Sequence, residues 1–171
     1  MSRDASILNL ALLVARLVGL GMAAHGAQKL FGWFGGHGLA GTGGVFEKLG
    51  FRPGKLFALA AGAGEFFGGL LLALGLGGPL GPALIVLVMT VAGLTVHVKN
   101  GFLQGKNGFE LNAVYIALAL VLGYSGPGEL SLDHALHLHV LGSIMQVTIA
   151  FAIAVVLALL NVVARRPPAA S

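Results

Sequence analysis

Five apolar runs, at about residues 7–31, 55–76, 81–98, 109–124 and 139–163, leave this chain few ways to fold. A helix needs ~20 largely apolar residues to cross a bilayer, with a range of ~17–25. Run 109–124 sits near the lower limit, and the others reach it. None alternates with period two, and all are too long for ordinary strands. In hydrocarbon, backbone N–H and C=O groups must be bonded within their own segment, which leaves helices. The predicted fold is an all-α integral membrane helical bundle. Composition agrees: only 9 % of residues are charged, against ~25 % in a soluble domain. Five helices consume most of the 171 residues, so no separate soluble catalytic domain fits.

The runs leave an N-terminal tail (1–6), four helices within 7–133, a fifth within 134–164 and a basic, proline-containing tail (165–171). The start, Met1-Ser2-Arg3-Asp4, offsets its one arginine with an aspartate and is followed by no small-x-small cleavage site. The first run is therefore expected to be retained rather than removed as a signal.

Charge gives an orientation. If all five runs span, connectors 32–54 and 99–108 share one side with the C-terminus. That side holds Lys48, Arg52, Lys55, Lys99, Lys106, Arg165 and Arg166, and the other holds Arg3. The positive-inside rule then places the N-terminus outside and the C-terminus inside a cytoplasmic (inner) membrane. The same bias accounts for a net charge of +4 without nucleic acid, for which no basic stripe is present. Zero cysteines exclude a disulfide, thiolate-held iron–sulfur clusters and a thiol relay within this chain.

Against this apolar background the ionisable residues stand out. Arg16, His25 and Lys29 lie in or at the end of the first run, and Glu65 lies in the middle of the second. Charges at such depth cost a few kcal/mol each and mark candidate functional sites. Arg16 lies nine residues into the first run, ~13 Å deep at 1.5 Å per residue. Glu65 is about ten residues into the second. Antiparallel neighbours would bring both near the midplane, so an Arg16–Glu65 ion pair is expected, either fixing helix register or serving chemistry. His25 and Lys29 are spaced i, i+4 and share a helix face. They exit the membrane on the same side as His97, Lys99 and Asn100 after the third run, and Glu110 and Asn112 at the start of the fourth. His25, Lys29, His97, Asn100 and Glu110 are thus expected to line one cavity, with Glu65 deeper. Such a set suits proton exchange or a polar quinone head group. The plainer reading is that Lys29 and Lys99 snorkel to the interface.

Remaining signals are structural. Gly64 and Gly68 form a GxxxG pair extended by Ala60, and Ala61, Glu65 and Gly69 form the adjoining row. Small residues allow close helix approach, which would hold the Glu65 carboxyl against a neighbouring helix. Gln146 and Asn161 are expected to bond across helices. Asp133 is a candidate N-cap. His134 and His137 have metal-like spacing but begin a helix at the water interface. The glycine-rich stretch 35–44 lacks the GK[ST] ending of a phosphate loop. It is expected to be flexible or re-entrant, with His37 solvated. Trp33, with Phe31 and Phe34, reads as an interfacial anchor.

Several motifs together resemble the DoxX family of membrane proteins. They are His25-Gly26-Ala27-Gln28-Lys29-Leu30-Phe31-Gly32 with Gly35-Gly36-His37-Gly38-Leu39, then Phe46-Glu47-Lys48-Leu49-Gly50-Phe51, and Gly64-Glu65-Phe66-Phe67-Gly68-Gly69. Asn100-Gly101-Phe102 before Gly108-Phe109-Glu110, and Gly126-Pro127-Gly128 before Asp133, complete the set. The resemblance covers about residues 10–135 and implies a four-helix bundle. Family members are linked to thiosulfate:quinone oxidoreductase subunits and to complexes handling thiol or oxidative stress. The matching positions are His25, Lys29, Glu65, Asn100 and Glu110. The fifth run departs from the four-helix pattern.

The resulting expectation is the membrane subunit of a quinone-linked oxidoreductase complex. Quinone would be bound and a redox partner protein would supply electrons, since the sequence shows no flavin or haem motif. Lipid is the obligatory surrounding, and self-association is compatible with the glycine-rich faces. The alternative is a non-enzymatic small-molecule permease or assembly scaffold.

Overall fold

The computed structural model describes residues 3–166, so Pro167 and Pro168 of the tail lie outside the described residues. It is all-α, with no strand among the described residues. Helices α1 (Arg3–Arg16) and α2 (Val18–Phe31) form one 29-residue span interrupted only at Leu17. There Leu17 and Leu20 make tighter i→i−3 bonds to Val14 O and Leu17 O. Helix α3 (Gly38–Lys48) follows, then α4 (Gly54–Leu74) and α5 (Leu80–Ala92). α5 continues through a π-helical turn, Gly93–His97, and a 3-10 turn, Val98–Asn100. α6 (Glu110–Ser125), the short α7 (Leu132–Ala135) and α8 (Ile144–Ala164) complete the bundle.

Four spans are long and apolar enough to cross a membrane: Arg3–Phe31, Gly54–Leu74, Leu80–Asn100 and Ile144–Ala164. α6, at 16 residues, is an apolar helix shorter than these. Large apolar side chains such as Leu8, Leu20, Phe67, Ile153 and Leu160 are exposed around the bundle. On a soluble protein such a surface would be an association hazard, whereas lipid solvates it. The core holds Met22, Ile85, Val86, Leu122 and Phe151.

Helices α2 and α4 pack backbone to backbone. A Cβ on Gly19 would lie 2.3 Å from Gly69 O, and one on Gly26 would lie 2.3 Å from Phe66 N. Only glycine permits this spacing, and it fixes an antiparallel register. The predicted Gly64–Gly68 row serves a different neighbour: both glycines face α5, at Val88 and Leu84.

Several expectations need correction. The stretch 35–44, expected to be flexible or re-entrant, is largely helical. Helix α3 packs on the start of α4, where a Cβ on Gly54 would lie 2.1 Å from Gly43 O. Phe51, buried between them, touches the rings of Phe46 and Phe57. The first helix begins at Arg3, not residue 7, and the last at Ile144, not residue 139. Asp133 is not an N-cap: Ser131 caps α7, accepting from His134 N–H. The buried Asp133 carboxylate instead accepts from Gly77 N–H (2.9 Å) and Gly78 N–H (2.7 Å), tying α7 to the turn between α4 and α5. Gln146 and Asn161 do not bond across helices. Gln146 completes a capping box with Ser143, and Asn161 donates to Leu157 O within α8.

Candidate functional site

The α2–α4 register decides which charges meet. Because Gly26 lies against Gly62 and Phe66, Lys29 falls one turn beyond, and its ammonium donates to the Glu65 carboxylate. Glu65 is buried, and the Lys29 side chain is partly so. The same register carries Arg16 to the far end of α4, where its guanidinium lies against Gly75 and donates to Leu130 O. The expected Arg16–Glu65 pair therefore does not form, and Arg16 lies outside the polar cluster. The physical reason is length. A 29-residue helix extends ~43 Å at 1.5 Å per residue, well beyond a ~30 Å hydrocarbon core. Counting inward from residue 7 consequently misjudges depth. Lys29 is engaged by Glu65, whereas Lys99 is exposed.

A cavity of about 640 Å³ opens beside the pair, between α2, α3, α4, α5 and α8. Most of its wall is apolar, including Phe46, Phe57, Leu84, Val88 and Leu157. Its polar groups include His25 and Lys29 of α2, Glu65 of α4 and His97 of the π-helical turn. His25 Nδ1 donates to Gln28 Oε1 (3.0 Å), and Gln28 Nε2 donates to Phe34 O (3.2 Å). His97 Nδ1 donates to Asn107 O (3.0 Å). With Nδ1–H so engaged, Nε2 of each ring is the nitrogen left for a further partner.

The π-helical turn brings His97 here. Such turns insert one extra residue per turn and re-aim the side chains that follow. Thr95, whose hydroxyl donates to Val91 O, lines the cavity from the same turn.

Asn100 and Glu110 play a different part from that expected. Neither lines this cavity. Asn100 Nδ2 donates to Asn107 O (3.1 Å), and Glu110 accepts from Gln104 N–H (2.8 Å). They brace the connector that holds His97. Sequence reasoning missed His37, Thr42 and Asn161 as lining residues. His37 comes with α3, whose start it precedes, and Asn161 with the last turns of α8. The end of α8 also returns to this face, where Arg166 N–H donates to Gly50 O.

A model of the DoxX family matches residues 11–98, just over half of the chain. That stretch contains His25, Lys29, Glu65 and His97, and ends before Asn100, Glu110 and α8. No curated protein and no solved structure matches the chain.

Proposed function

This chain belongs to the DoxX family, and we propose that it is the quinone-binding membrane subunit of an oxidoreductase complex. The observation that carries this reading is an ion pair, its carboxylate buried, set in the wall of a large and mostly apolar cavity. A volume of about 640 Å³ falls within the ~300–1,000 Å³ usual for small-molecule sites. A quinone head group is a flat apolar ring with two carbonyl oxygens. Lys29 supplies a charged donor for one oxygen, and Glu65 holds that ammonium in place. His25 and His97 offer further proton donors or acceptors. Phe46, Phe57 and Val88 suit the ring and the start of an isoprenoid tail.

The quinone supplies the electron-accepting chemistry, and a separate redox protein supplies the electrons. This chain's residues bind the head group, exclude bulk water and deliver protons. The basic connectors and the C-terminal end of α8 support a site facing the cytoplasm, in an inner membrane with the N-terminus outside.

Trp33 is the only tryptophan and stands two residues before the cavity-lining Gly35. Titrating the purified protein in nanodiscs with a short-chain quinone should quench its fluorescence saturably. Glu65→Gln should weaken that binding about tenfold or more, as expected when a charged hydrogen-bond network loses one member. Quenching that is non-saturable and identical in both proteins would rule the reading out.

A further inference from the structure

The Lys29–Glu65 pair lines a second cavity as well. This cavity, of about 230 Å³, lies between α2, α4, α5 and α6. His25, Lys29, Glu65, Ala92 and His97 line both cavities. The second adds Gln104, Asn112 and Tyr115, so seven of its eleven lining residues carry polar groups. We propose that this smaller cavity is a hydrated proton route to Lys29, separate from the chamber that takes the ligand. The identity of the ligand rests on the quinone reading above.

Three observations support the route. Its volume holds several waters, since each occupies ~30 Å³ and needs polar partners, which this wall provides. Gln104 lies in the exposed connector 101–107, so one end of the cavity meets the water-facing surface. The connector is braced there by Glu110, which accepts from Gln104 N–H, and by Asn100. An apolar ligand filling the larger cavity would expel water from it. Protons must then reach the pair from the smaller.

The transfer balances. The Lys29 ammonium passes one proton to a negatively charged oxygen of a ligand reduced by the partner protein. The resulting amine takes one proton from the waters of the smaller cavity, directly or through His97 Nε2, and those waters recover it from bulk water at the connector 101–107, so no hydroxide is left inside. Glu65 remains a carboxylate and holds Nζ throughout.

The absence of native cysteine makes the route testable by single introduced thiols in nanodiscs. Met89→Cys reports on the smaller cavity, Ala61→Cys on the larger, and Val86→Cys on the dry core. Tyr115→Cys is a second reporter for the smaller cavity should Met89→Cys fail to fold. A charged methanethiosulfonate should modify the smaller-cavity thiol at least about tenfold faster than Val86→Cys, because reaction needs water and an ionised thiol. A saturating short-chain quinone should protect Ala61→Cys alone. Modification of the smaller-cavity thiols as slow as Val86→Cys would overturn the proposal, as would equal protection of both chambers. Fast modification there with no quinone protection anywhere would keep the water route and overturn the quinone reading.

Discussion

Lys29 and Glu65 meet one helical turn beyond the place where Gly26 lets α2 lie directly on α4. The charge pair and the glycine contact are parts of one arrangement. The glycines bring the backbones together, the register follows, and the only buried carboxylate of α4 finds an ammonium.

The pair should prove functional rather than merely cohesive. Lys29→Met leaves the Glu65 carboxylate buried without its cation, a loss of about 3–5 kcal/mol. The double variant Lys29→Met/Glu65→Met removes both charges, and such replacements are often neutral or stabilising. Thermal unfolding in detergent should therefore show the single variant destabilised and the double variant recovered. Saturable quenching of Trp33 by quinone should be absent from both. A double variant that binds quinone like the parent would mean that the pair only sets register.

Closing the α2–α4 gap should damage both stability and site. In Gly26→Ala the new methyl would lie 2.3 Å from Phe66 N and 2.6 Å from Gly62 O. Backbone atoms cannot step aside singly, so the helices must separate, at about 1–3 kcal/mol or more. Lys29 would then lose its hold on Glu65. Gly44→Ala in α3 meets nothing within 4 Å and should stay within about 0.5 kcal/mol of the parent. Equal unfolding temperatures for the two variants would refute the close-contact account.

How much of this was readable before the structure depends on the length scale of the interaction. The spans were legible because hydrocarbon forces helices and sets their length. The cluster of His25, Lys29, Glu65 and His97 was legible because buried charge is costly enough to stand out. Register was harder. The Arg16–Glu65 pairing came from counting residues inward, and the overhang of α1 defeats such counting. Gly19, Gly26, Gly62 and Gly69 carry the register, whereas the more conspicuous GxxxG pair, Gly64 and Gly68, faces α5. Helix α3 was hidden because an 11-residue, glycine-rich segment has little helical tendency of its own. Its packing on α4 supplies what propensity does not. Asp133 looked like a cap because local sequence suggests local partners, yet its acceptors serve Gly77 and Gly78 far along the chain.

That tie gives a prediction separating the two ends of the bundle. Asp133→Ala leaves the Gly77 and Gly78 N–H groups without their acceptor, at about 1–3 kcal/mol. The turn lies beyond α4's C-terminal end, whereas the cavity is near Glu65 and His97. The unfolding temperature should fall while the folded protein keeps its quinone affinity. A matched loss of affinity in still-folded protein would place the two ends in one coupled unit.

Arg16 provides the sharpest contrast with Lys29, although both are cations within the same span. Its Nη2 donates to Leu130 O, but Nε and Nη1 are buried without a hydrogen-bond partner. A buried charge held this incompletely costs more in desolvation than its contacts return. Arg16→Met keeps an unbranched apolar side chain against Gly75 and removes that cost. The variant should unfold at the same or a higher temperature than the parent. Because Arg16 lies outside both cavities, its quinone affinity should change by less than about twofold, well under the 1.4 kcal/mol that marks a tenfold effect. Destabilisation on the scale of Lys29→Met would show that the guanidinium has an ionic or solvent partner at that end, and loss of quinone binding would return Arg16 to the site.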